Sequence, residues 1–128
     1  MEHEALVRAF ESGEDPPGGF HHAQHVFMAW WYLRAHPLGE ALTRFSVALR
    51  RFATARGKPD LYHETITVAF LLVICDRLGA APDASWDAFA ASNADLFSWK
   101  PSVLDRYYRD DTLWSERARG HFVMPDRC

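Results

Sequence analysis

Residues 38–57, LGEALTRFSVALRRFATARG, decide the fold class. Leu38, Leu42, Phe45, Leu49 and Phe52 recur at alternating spacings of four and three, while Arg44, Arg50, Arg51 and Arg56 fill other faces. That spacing puts the apolar side chains in one stripe of an α-helix and predicts that the stripe packs on a core. Gly57 suits the left-handed residue just past the helix end, and Pro59 forbids simple continuation. On the upstream side, His36-Pro37 turns the chain at once into this helix from another, running from about His21 to Ala35. So short a connection favours antiparallel neighbours.

Working outward, a short helix near Glu2 to Glu11 ends before Ser12-Gly13 and Pro16-Pro17-Gly18-Gly19. Downstream, Asp60 can cap a fourth, almost wholly apolar helix over Leu61 to Leu78, before Gly79. The signals then shorten: Asp83 or Ser85 can cap a piece carrying Trp86 and Phe89, and Ser102 with Asp105 resembles a capping box before Tyr107-Tyr108. No repeat and no long alternating run of β-branched residues calls for a sheet. The expectation is an all-α bundle of about four main helices with shorter C-terminal helices packed on it, residues 1–128 forming a single helical domain.

Composition narrows the function classes. The chain is 48% hydrophobic, 14% aromatic and 24% charged, which fits a globular core and not a disordered tail. A net charge of -3 with acids scattered among the arginines argues against nucleic-acid or membrane-surface partners. The longest apolar run, Val68 to Cys75, is far short of a membrane span. Met1-Glu2-His3-Glu4 lacks the basic start of an export signal, and Cys75 and Cys128 offer no disulfide framework, so a cytoplasmic setting is expected.

Chemistry concentrates in Phe20-His21-His22-Ala23-Gln24-His25, at the start of the second helix. Neutral imidazole is a common transition-metal ligand, and ligands three or four residues apart on a helix share a face. At about 100° per residue, His22 falls in line with Val26, Ala29 and Leu33, His25 lies about 60° to one side, and His21 lies about 100° away. His22 and His25 are therefore the preferred pair. A second group, Tyr62-His63-Glu64-Thr65, opens the fourth helix. Glu64 projects with Val68, Leu71, Cys75 and Leu78 toward the apolar side, where a carboxylate is costly unless paired, protonated or coordinated. The expected ligands of one transition-metal ion are thus His22, His25 and His63, with Glu64 as a fourth ligand or a catalytic base; iron, copper, zinc and nickel are not distinguished. The same histidines also suit plain helix caps or a solvent face, and Glu64 also suits the positive end of its helix.

Other residues read more plainly. Trp30-Trp31-Tyr32 and Cys75 belong to the core. Phe27 and Trp31 point away from the His22 stripe, which suggests a homodimer interface. Phosphate loops, paired CxxC, G-x-S-x-G elbows and H-E-x-x-H helices are lacking.

Phe20, His22, His25 and Ala29-Trp30, followed by Tyr62-His63-Glu64-Thr65, carry a resemblance to a family of small, poorly characterised bacterial all-α proteins with Phe-x-His-x-x-His and Tyr-His-Glu-Thr motifs. The resemblance extends through Tyr107-Tyr108 to Phe122-Val123-Met124-Pro125-Asp126 and favours His22 and His25 over His21. It implies no particular reaction. From the ligand types, the expected function is a metal-dependent enzyme that activates water or dioxygen for chemistry on a small organic molecule; the alternative is a non-catalytic module that binds or senses a metal or ligand.

Overall fold

The structure, a computed structural model, describes residues 3–14 and 21–127. Among them are seven α-helices and no strand: α1 (His3–Glu11), α2 (His22–Ala35), α3 (Leu38–Ala55), α4 (Glu64–Ala80), α5 (Trp86–Ser92), α6 (Asp110–Leu113) and α7 (Glu116–Gly120). The all-α expectation therefore holds. Glu2, the predicted start of the first helix, lies outside the described residues, as do the Pro16–Gly19 loop and Phe20. The chain divides into two compact units, one ending at Tyr62 and the other beginning at His63.

In the first unit, α2 and α1 both pack on α3. The stripe on α3 supplies Phe45 and Phe52, α1 supplies Phe10, and α2 supplies Tyr32. Phe10 is the hub: its ring centre lies 6.5 Å from that of Tyr32, 6.1 Å from Phe45 and 5.8 Å from Phe52. Buried aromatic rings at these separations are worth more than their area alone. The Tyr32 hydroxyl donates to Glu11 Oε2 at 2.5 Å, and Arg51 Nη1 donates to the Glu11 carbonyl at 3.2 Å, so the end of α1 is tied to both neighbours. α3 ends as its sequence predicts. Gly57, at φ +70°, donates to the Thr54 carbonyl and Lys58 N–H to that of Ala53, the paired bonds of a Schellman turn.

Pro37 stands just before α3 and His36 just after α2, as expected. α2 begins one residue later than predicted, because His21 is its N-cap and its backbone N–H donates to Gln24 Oε1 at 2.9 Å. Phe27 is only 4% exposed and Trp31 half-buried against Tyr32 and His36. The apolar face that prompted the homodimer expectation is therefore largely covered already at Phe27.

The second unit is organised by α4, on which α7 and the 3-10 turn Val103–Arg106 pack. Ile66, Phe70, Leu71, Ile74 and Leu78 bury the length of α4. Two boundaries differ from expectation. Asp60 does not cap α4; it sits inside a 3-10 turn, Pro59–Leu61, and the helix starts at Glu64 with His63 as N-cap. Gly79 does not stop the helix, which continues through Ala80. Ser85 and Ser102 do cap as predicted, Ser102 in a full capping box with Asp105. A charged clasp joins α4 to the chain beyond α5: Arg77 makes paired bonds to the Asp95 carboxylate at 2.5 and 2.8 Å, and Arg106 adds a third at 3.2 Å. This fork-to-fork pairing holds Asp95 below the usual carboxylate range. Among the described residues, no helix is long and apolar enough to cross a membrane.

Candidate metal centre

His22 and His25 occupy the first turn of α2, where three-residue spacing stacks their side chains on adjoining faces. Their ring centres lie 6.3 Å apart, at an interplanar angle of 50°. Both are half-buried. The helical wheel puts His22 nearer the core stripe, yet it is His25 whose ring packs on that of Phe45, at 5.4 Å between centres and 64° between planes. Burial first, and then the neighbouring His22, lower the His25 pKa to about 4. At neutral pH its ring is thus unprotonated, the form that binds a metal. His21, the histidine set aside on the wheel, is the exposed N-cap.

His63 and Glu64 stand together at the head of α4, in the second unit. His63 is 5% exposed, and both its ring nitrogens have partners. Nε2 lies 2.7 Å from the Leu113 carbonyl, while the Ile66 N–H donates to Nδ1 at 3.1 Å. A carbonyl oxygen only accepts, so Nε2 carries the proton and Nδ1 is the acceptor: a neutral imidazole of one defined tautomer. Desolvation is the main reason its pKa falls below the ordinary histidine value. The Trp114 ring stands at a right angle to it, 5.6 Å between centres. To serve as a ligand, His63 would have to surrender one of these bonds. Glu64 is half-buried and is the first residue of a 17-residue helix, a position that favours a carboxylate.

The structure thus brings His22 to His25, and His63 next to Glu64, in two separate units. Among the described residues, no three His, Cys, Asp or Glu side chains gather closely enough to hold an ion.

The Tyr-His-Glu-Thr segment has a second role that sequence reasoning missed. Thr65 is fully buried, and its hydroxyl lies 2.7 Å from the Ala118 carbonyl and 2.8 Å from that of His121, while the Val123 N–H donates to it at 3.1 Å. Thr65 therefore fastens α7 and the tail beyond it to α4. Thr67 adds a bond from its hydroxyl to the His63 carbonyl at 2.8 Å. Removing the hydroxyl without changing shape, as in Thr65→Val, strands the half-buried Val123 N–H and two carbonyls. A loss of about 2 kcal/mol is expected, read by urea denaturation, with Thr65→Ser close to wild type. A Thr65→Val variant within about 0.5 kcal/mol of wild type would contradict this role.

The chain matches no known family model, no curated protein and no solved structure.

Proposed function

We propose that His22 and His25 hold one transition-metal ion and that the ion serves chemistry on a small organic molecule, by activating water or dioxygen. The observation that carries this reading is the pair itself: two neighbouring imidazoles on one helical turn, one of them held unprotonated by its surroundings. An ion bonded to an imidazole nitrogen at about 2.0–2.1 Å lies roughly 3 Å from the ring centre, so rings up to about 6 Å apart can share it. The observed 6.3 Å lies just outside that range. Structural zinc sites usually close their shell with four protein ligands and lean on cysteine, whereas residues 1–62 contain no cysteine. Two imidazoles leave positions for water or substrate, and a bound ion would supply Lewis acidity there. A cytoplasmic setting accords with the free Cys75 thiol.

The test is metal analysis of protein loaded separately with iron, copper, zinc and nickel. About one ion per chain is expected for at least one metal, and none for the His22→Ala, His25→Ala double variant. Equal retention by the two proteins would end the proposal. For the catalytic half, spectroscopy of the loaded protein should reveal a solvent-exchangeable position; a shell closed by protein atoms would instead mark a module that binds or senses the ion.

A further inference from the structure

Two of the five tryptophans remain substantially exposed, Trp99 at 38% and Trp114 at 51%. Both line one hollow of about 260 Å³ in the second unit, together with Asp105, Asp110 and Lys100. Its walls are held in place. The Ser98 hydroxyl donates to the Pro101 carbonyl at 2.8 Å, Trp99 bridges to Ser102, and the Ser102 N–H donates to Asp105 Oδ2 at 3.0 Å. Trp114 packs at a right angle to the buried His63 ring.

We infer that this hollow binds a small, free organic cation of the quaternary ammonium class. An indole face attracts a cation through its ring quadrupole, tryptophan being the best of the aromatic residues at this. Two carboxylates against one lysine amine leave the hollow itself with a negative balance. The adjoining open cleft shares Asp105 and Asp110 and adds Asp111 and Asp126 against Arg109 and Arg127, two charges of each sign that leave this balance unchanged beyond the rim. An apolar ligand would have to desolvate Asp105 and Asp110 without compensation, and an anion would be repelled by them. A methylated ammonium satisfies both walls at once, with methyl groups on the indoles and its charge toward the carboxylates. The volume lies below the roughly 300–1,000 Å³ usual for drug-sized ligands, which limits the occupant to a headgroup of a few heavy atoms. The site is independent of the metal proposal, since it uses neither histidine of α2.

The test is calorimetric titration of metal-free protein with choline, beside 3,3-dimethylbutan-1-ol, in which a carbon replaces the nitrogen and the charge is gone. Choline should bind one site per chain, at least about tenfold more tightly than the alcohol, with a change in tryptophan fluorescence. Asp110→Asn, at an exposed residue, should weaken choline several-fold, and Trp99→Leu about tenfold, with circular dichroism showing that each variant is folded. If Trp99→Leu does not fold, Asp110→Asn and the choline–alcohol comparison still decide. Equal affinity for the two compounds, no saturable choline binding up to tens of millimolar, no response to Asp110→Asn, or binding to phosphatidylcholine vesicles without binding of free choline would each overturn the inference.

Discussion

Lowering the pH of the metal-free protein from about 6.5 to about 4 is expected to remove about 3 kcal/mol of stability through His25 alone. The sign follows from proton binding. The unfolded chain takes up a proton on this ring near pH 6.5, while the folded chain resists it until about pH 4, so between those values the unfolded state binds more protons and gains as pH falls. Above pH 6.5 the contribution is fully present; below about 4 it is gone. His63, also lowered by burial, acts in the same direction, because protonating Nδ1 would set an N–H against the Ile66 N–H. Urea denaturation at several pH values checks this, with His25→Leu as the control. The variant should lose its share of the pH dependence below 6.5, and an unchanged profile would show that the ring is not held as the structure has it. Bound metal should steepen the same profile, since ion and proton compete for one nitrogen.

The reach of local pattern explains which features could be read in advance. The α3 stripe, the Gly57 turn, the Ser85 cap and the Ser102–Asp105 box are each complete within a few residues, so their chemistry is visible in the chain. The start of α4 is not. Asp60 has the residue type that caps helices, yet the cap is the His63 ring, fixed from its other side by a carbonyl 50 residues away. Thr65 is the same case, with acceptors 53 and 56 residues downstream. At the candidate metal centre, the three-residue spacing made the His22–His25 pair legible, whereas the two hydrogen bonds that engage His63 depend on tertiary placement. The burial of Phe27 is likewise a matter of tertiary placement. A helix that is apolar on more than one face reads like an interface, but α2 buries Val26, Phe27, Met28, Ala29, Trp30 and Tyr32 within the chain.

Phe45→Ala is expected to cost about 3–5 kcal/mol, the largest effect of any substitution proposed for this protein. Phe45 is 1% exposed, and its ring meets three others: Phe10 at 6.1 Å, Tyr32 at 6.0 Å and His25 at 5.4 Å. Truncation removes the transfer free energy of the ring and leaves a cavity whose walls come from three helices, each held by other contacts and slow to collapse. A loss of this size is a large fraction of the stability of an ordinary domain, so the milder Phe45→Leu serves where the alanine variant does not fold. The consequence for the candidate metal centre is separable from the loss of stability. With the Phe45 ring gone, water gains access to His25, desolvation relaxes, and the His25 pKa should rise from about 4 toward its ordinary value, as followed by NMR titration of the ring protons in Phe45→Leu. Denaturation would then place the stability loss, and the titration would show whether the aromatic core of the first unit is what keeps this imidazole unprotonated. A Phe45→Leu variant in which His25 still titrates near 4 would assign that task to other walls of the site.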